Sequence, residues 1–115
     1  MTNFRRGFYL TLMLVIGFLM VACEQARISQ INADPGRYMN KEVAVVGQVT
    51  QSIGAFGKGI YQVDDGTGRL WVLANVRGVP SKGARVGVKG YVKPTITFLG
   101  INYATVMAET ERRGG

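Results

Sequence analysis

Two stretches of alternating valines constrain this chain more than anything else in it. In residues 41–50, Val43, Val45 and Val49 share one parity, and Gly47 stands in the same register. Residues 84–93 repeat the pattern with Val86, Val88 and Val92, and with Gly90 in the glycine position. Period-two alternation of β-branched residues marks a strand with one buried face. A glycine in the buried register marks a bend, a bulge or the close approach of another backbone. Two long strands that bend in this way can each serve both halves of a small closed barrel. The chain has 115 residues, room for one domain. Its 16 glycines and 3 prolines are scattered between apolar runs, which favours short strands and tight turns over long helices. An all-β fold is expected.

Between the two valine stretches lies the clearest hairpin in the sequence. Ile60-Tyr61-Gln62-Val63 and Arg69-Leu70-Trp71-Val72-Leu73 are joined by the turn-forming Asp64-Asp65-Gly66-Thr67-Gly68. Pairing across this turn sets Val63 opposite Leu70 and Gln62 opposite Trp71. Val63 and Leu70 then point to the core, and Trp71, Gln62, Ile60 and Leu73 point outward. A glycine-rich loop over residues 54–59 precedes the hairpin and a second loop over residues 75–83 follows it. Residues 95–99 extend the fourth strand past Pro94, Gly100-Ile101-Asn102 turn the chain, and a fifth strand occupies residues 103–109. Ahead of the first strand, Asp34-Pro35 opens a short helical turn, with aspartate as the cap and proline at the first helical position. Residues 23–30 read as a tether, residues 31–110 as the domain and residues 111–115 as a mobile tail.

The N-terminus reads as a targeting segment. Arg5 and Arg6 precede an uncharged run, residues 8–21, whose 14 residues suit the apolar region of an export signal and fall short of a bilayer-spanning helix. The run ends in Leu19-Met20-Val21-Ala22-Cys23, which resembles the lipobox of bacterial lipoprotein signals, with Met20 where leucine is usual. The resemblance implies cleavage before Cys23, lipidation of Cys23 and a domain anchored in the cell envelope, facing the periplasm or the extracellular side. An ordinary buried cysteine after a cleaved signal, or an uncleaved N-terminal anchor, is the competing reading. In a lipoprotein of a Gram-negative bacterium, Glu24 after the cysteine favours outer-membrane sorting.

Removing the first 22 residues of 115 leaves 93, with 12 basic and 7 acidic side chains once Arg5 and Arg6 are gone, a side-chain charge of +5. A chain of this size buries about 60–65% of its unfolded surface, enough for one compact core. Gly36-Arg37-Tyr38-Met39-Asn40-Lys41-Glu42-Val43, Val45-Val46-Gly47-Gln48-Val49, the hairpin through Gly68, and Gly83-Ala84-Arg85-Val86-Gly87-Val88-Lys89-Gly90-Tyr91-Val92 together resemble the OB-fold of the anticodon-binding-like nucleic-acid-binding group. The resemblance covers nearly all of the mature chain. It implies a five-stranded OB-fold barrel with a short N-terminal helical turn, preceded by a signal-peptide helix, and it implies nucleic-acid binding.

The residue inventory removes most catalysis. Histidine is absent and Cys23 is the only cysteine, which excludes internal disulfides, Cys/His zinc sites, histidine-ligated haem and Ser-His or Cys-His pairs. No glycine stands five before Gly57, and Gly59 replaces the serine or threonine of a phosphate-binding loop. Asp64 and Asp65 are adjacent, so on a strand end they point apart, and they suit a turn better than a calcium ladder. A non-enzymatic binding module without a cofactor is expected. Its candidate ligand-binding residues are Trp71, Gln62, Arg69, Lys58, Arg85, Lys89, Tyr91 and Lys93. An outward tryptophan beside an amide suits stacking of a base or sugar ring. Arg85, Lys89 and Lys93 share a parity with Tyr91 and suit a polyanion such as single-stranded nucleic acid, and Lys58 extends a basic rim near Arg69. The same residues have structural readings: Trp71 as a cover over a gap beneath the helical turn or the Phe56 loop, and the cations as a solvated strand that discourages edge pairing. An envelope protein partner bound through a tryptophan-centred patch is the alternative to nucleic acid.

Overall fold

The computed structural model describes residues 24–55, 57–75 and 78–115. The expected signal segment and Cys23 lie outside the described residues. The chain begins with a two-residue strand β1 (Glu24–Gln25) and two short helices, α1 (Ile28–Ala33) and α2 (Pro35–Tyr38). Five long strands follow: β2 (Glu42–Ala55), β3 (Lys58–Asp64), β4 (Arg69–Leu73), β5 (Arg85–Phe98) and β6 (Ile101–Gly114). They pair in the order β2-β3-β4-β6-β5, and β5 pairs back onto β2 to close the barrel. The β4–β6 contact is parallel and the others are antiparallel. This is the expected small five-stranded OB-fold barrel.

The valine ladders form the core. Val43, Val45, Val49, Val86, Val88 and Val92 are all buried, as are Tyr61, Val63, Leu70, Val72 and Met107. The hairpin has the expected register, with Val63 opposite Leu70 and Gln62 opposite Trp71. Both glycines in the valine register mark close approach of backbones. A Cβ on Gly47 would run into the Asp64 carbonyl and come within 2.9 Å of Val63 Cγ1. A Cβ on Gly90 would run into the Ala108 carbonyl and come within 2.7 Å of Met107 Cγ. The β2–β3 ladder shifts register between Val49 and Gln51, so the bulge in β2 is at Thr50 and not at Gly47. The second register shift falls between Lys89 and Gly90, where the extra residue belongs to β6.

Several boundaries differ from the sequence reading. Residues 24–30 are not a tether: β1 adds to β2 in parallel, pairing Glu24 with Val43, and α1 follows. Ile28 and Ile31, three apart and so on one helical face, are both fully buried in the core. Burying each contributes about 1.5–3 kcal/mol, enough to hold so short a helix in place. Residues 111–115 are not a mobile tail, because β6 continues to Gly114 and pairs with β5 up to Val86. The loop expected over residues 54–59 shrinks to a turn, since β2 runs to Ala55 and β3 starts at Lys58. Asp34 does stand at the start of α2, but its side chain makes no capping hydrogen bond.

The Asp64–Gly68 turn has a second task. Its Asp65 Oδ1 accepts from the Thr67 N–H and hydroxyl and from the Gly68 N–H, while Oδ2 accepts the Ile28 N–H at 2.9 Å. Thr67 Oγ1 accepts the Ser29 N–H at 3.1 Å. The turn therefore satisfies the first amides of α1 from across the fold, the service that a local cap would supply. Partial burial pushes the Asp65 carboxyl up, but the Thr67 hydroxyl and the Ile28, Thr67 and Gly68 amides together outweigh it and hold the group below its ordinary 3.8.

Candidate nucleic-acid interface

Residues of one parity share a face. The outer face of β3 and β4 therefore carries Lys58, Ile60 and Gln62 on one strand and Arg69, Trp71 and Leu73 on the other. Cross-strand register extends this face around the barrel. Gln62 pairs with Trp71, Trp71 with Val106, and Val106 with Lys93, so the amide, the indole and a lysine lie in one row across four strands. With strands about 4.8 Å apart, the Lys93 backbone is roughly 10 Å from that of Trp71. Lys93 is exposed and Trp71 is half-buried. Tyr91 lies in the next row, through Ala108 to Leu73, and is 40% exposed.

Three features lock the centre of this face. The Trp71 ring meets the ring of Tyr103 edge-on, with centroids 5.0 Å apart and an interplanar angle of 62°. Such pairs contribute about 0.5–1.5 kcal/mol beyond their buried area. Thr50, the extra residue of the β2 bulge, donates its hydroxyl to Gln62 Oε1 at 2.9 Å and so fixes the orientation of the amide. Thr105 adopts φ 52°, a left-handed conformation rare for a β-branched residue. It lies between Tyr103 and Val106, whose parities oppose, and the break in alternation lets both reach the Trp71 side.

The structure does not bring all the expected residues together. Ile60 has the outward parity but no accessible surface, so the open part of the face is narrower than parity implies. Arg69 Nε contacts Asp64 Oδ2 at 3.4 Å, and these two residues pair across the hairpin. Lys58 begins β3, six residues from Asp64 and so about 20 Å along the strand, which places it and Arg69 at opposite ends of the face and not on one rim. Arg85 and Lys89 pair with Gln48 and Ala44 of β2, on the wall opposite β4. Lys89 Nζ also meets Glu111 Oε2 at 3.8 Å. Of the three cations of β5, only Lys93 shares the Trp71 face.

A buried polar cluster, which sequence reasoning missed, supports the barrel behind the face. Tyr61 donates its hydroxyl to Glu109 Oε1 at 2.5 Å, Arg112 Nη1 approaches the same oxygen at 3.2 Å, and the Asn75 N–H donates to Glu109 Oε2 at 3.0 Å. Arg112 also donates to the Gly78 carbonyl at 3.1 Å and stacks over the Tyr61 ring, 5.4 Å from its centroid. Burial, reinforced by the Glu109 carboxylate, pushes the Tyr61 hydroxyl far above its ordinary 10.0 and keeps it neutral. The cluster ties β3 and the β4–β5 loop to β6, and its Arg112 lies in the residues read from sequence as a mobile tail.

No family model and no curated protein matches the chain. Among solved structures, it is similar to Entamoeba histolytica asparaginyl-tRNA synthetase in complex with asparaginyl-adenylate, with TM-score 0.58 and 14% identity, over 82% of this chain and 23% of that one. It is also similar to a replication protein A heterotrimer bound to ssDNA, with TM-score 0.43 and 22% identity, over 63% of this chain and 55% of that one. The S. pombe Stn1-ten1 complex gives TM-score 0.46 and 18% identity, over 64% and 57%. The chain thus spans less than a quarter of the synthetase's length. At 14% identity the likeness to the synthetase is one of fold, and the fold is the OB barrel.

Proposed function

We propose that this chain is a non-enzymatic OB-fold module that binds single-stranded nucleic acid on the outer face of β3 and β4, and that it is held at the cell envelope by a lipid on Cys23. The observation that carries the binding reading is the Gln62–Trp71–Val106–Lys93 row with Tyr103 packed against Trp71. Strands β3 and β4 correspond to the second and third strands of the barrel, the surface on which OB-folds take oligonucleotides. A base stacked on Trp71 gains roughly 1–3 kcal/mol, Gln62 offers amide donors, and Lys93 offers a charge for the phosphate backbone. Arg69 and Lys58 mark the two ends of the strand path, and Tyr91 borders it beside Lys93.

The test is a titration of a labelled single-stranded oligonucleotide over a range of salt. Binding should weaken with salt, since neutralised phosphates release counterions. Lys93→Gln should reduce that salt dependence by about one phosphate contact, and Trp71→Ala should weaken binding with the salt slope nearly unchanged. Absence of binding by the wild type at low salt refutes the reading and favours an envelope protein as partner. The anchor is tested separately: Cys23→Ser should abolish incorporation of labelled acyl chains and membrane partition.

A further inference from the structure

The barrel wall has a notch. Strand β1 lies along β2 only at Val43 and Ala44, and the Ala26 N–H closes that short ladder on the Ala44 carbonyl at 3.0 Å. The chain then leaves for α1, and β3 does not join β2 until Asp64 meets Gln48. Between these two points Val46 pairs with Gly87 of β5 alone. Peptide groups two residues apart on a strand point to the same side. Since Ala44 turns its carbonyl towards β1, Val46 turns its N–H and C=O into the notch. Its side chain is 41% exposed on the outer surface.

Two clefts meet at this notch. One, of about 350 Å³, lies between Thr50, Gln48 and Asp64, and the other, of about 570 Å³, lies between Gln25, Thr67 and Arg27. Val46, Asp65 and Arg85 line both. Thr50 is the residue bonded to Gln62, so the first cleft opens beside the Trp71 row. Strand register traces the same path: Arg69 pairs with Asp64, Asp64 with Gln48, and Gln48 with Arg85. Asp64 and Arg69 stand two residues from Gln62 and Trp71, about 7 Å along the strands, and three strand spacings of about 4.8 Å carry the row from Arg69 to Arg85. A groove thus leads from the Trp71 face, round the end of the β3–β4 hairpin, to Arg85 and Arg27.

The carboxylates of this groove already have partners and its outer cations do not. Asp64 faces Arg69 at 3.4 Å. Asp65 gives Oδ1 to Thr67 and Gly68 and Oδ2 to the Ile28 N–H. Arg85 and Arg27 are exposed and form no ion pair among the described residues. The Arg27 backbone is fixed, with its N–H on Gln30 Oε1 and its carbonyl accepting the Gln30 and Ile31 amides. Two guanidiniums without carboxylates, beside an open backbone N–H, suit a run of phosphates, each of which a guanidinium can meet with two parallel hydrogen bonds.

We infer that single-stranded nucleic acid bound on Trp71 continues into this groove, where Arg85 and then Arg27 hold its phosphates and Val46 offers its N–H. The groove rests on the nucleic-acid reading of the Trp71 face and lengthens the site beyond it. Arg85, which the β2–β5 wall keeps off that face, acquires a contact with the same strand further along.

The experiment titrates the full-length protein with labelled oligothymidylates of about 4 and about 12 nucleotides, within the range of site sizes for one OB-fold, over a range of salt. Arg85→Gln and Arg27→Gln should each lower the slope of log affinity against log salt by about 0.7 for the long oligonucleotide, and by about 1.4 together. The short one, held by the Trp71 face, should bind these variants as it binds the wild type. Val46→Glu keeps both arginines but sets a carboxylate in the groove, and it should weaken the long oligonucleotide alone. Wild-type affinity and slope in the double variant, with Trp71 fluorescence still quenched, overturn the groove and leave the face standing. Equal losses for both lengths also overturn it, because they mark a diffuse effect of charge. If the wild type binds neither oligonucleotide, the nucleic-acid reading fails and the groove with it.

Discussion

Replacing Glu109 by alanine should cost this barrel more than almost any other single polar substitution. The Arg112 side chain is 8% exposed and that of Glu109 5%. Removing the carboxylate takes a charged acceptor from the Arg112 guanidinium in a site that water barely reaches, and it takes the acceptor from the Tyr61 hydroxyl and the Asn75 N–H. Breaking one side of such a pair costs about 3–5 kcal/mol. A domain of this length has about 5–14 kcal/mol of stability in all. The midpoint of thermal unfolding should therefore fall by more than about 10 °C. Urea unfolding followed by circular dichroism measures the loss directly. The double variant Glu109→Leu with Arg112→Met removes both charges and should recover much of it, because an apolar replacement of a whole buried pair is often neutral. A loss below about 1 kcal/mol for Glu109→Ala, or strict additivity in the cycle, would refute the claim that this cluster binds the last strand to the β4–β5 loop.

Alkaline stability should report the same cluster. The Tyr61 hydroxyl titrates higher in the fold than in the unfolded chain, so its contribution is complete below about pH 10 and is lost as pH rises above that value; Tyr61→Phe should remove that component from a stability–pH curve. Asp65 has the opposite sign: its folded value is lowered, so its contribution is present above about pH 3.8 and disappears as pH falls through the folded value. Asp65→Ala should flatten that acid loss and destabilise the neutral protein by about 1 kcal/mol through the uncapped α1, measured by urea unfolding at both pH values. Gly47→Val and Gly90→Val should each destabilise by about 1–3 kcal/mol or more, because their Cβ atoms meet the Asp64 and Ala108 carbonyls. Gly87→Ala, whose Cβ would meet only Val46 Cγ2 at 3.8 Å, should be tolerated, and equal melting points for all three variants would contradict this account of the barrel walls.

The fold was largely legible because its signals are local. Alternating valines report burial one residue at a time, and the Asp64–Gly68 turn fixes the register from Val63–Leu70 to Gln62–Trp71. What sequence reasoning missed depends on distant partners. Ile28 and Ile31 have helical spacing, yet α1 exists because the core accepts both and because Asp65 and Thr67 supply its first amides with acceptors. Glu109 reads as the end of the last strand and Arg112 as part of a mobile tail until Tyr61, Asn75 and Gly78 supply the partners that bury both. At the candidate site, parity found Trp71, Gln62 and Lys93. It could not find Tyr103, because the left-handed turn at Thr105 breaks the alternation on which parity depends. Nor could it separate Arg85 and Lys89 from Lys93, since closure of the barrel carries one strand past two walls.

Trp71 is the only tryptophan in the chain, which makes the central claim open to one direct reading. Intrinsic fluorescence of the protein, titrated with single-stranded oligonucleotide at low salt, should be quenched as bases stack on the indole, with a midpoint that moves to higher concentration as salt is added. Tyr103→Ala, which frees the indole edge, should shift that midpoint, while Lys82→Gln, in an exposed loop at the far end of the barrel, should not. Saturable quenching with this pattern is the result the account predicts. Binding seen by a labelled oligonucleotide with no change in Trp71 fluorescence would place the nucleic acid elsewhere on the barrel and contradict it.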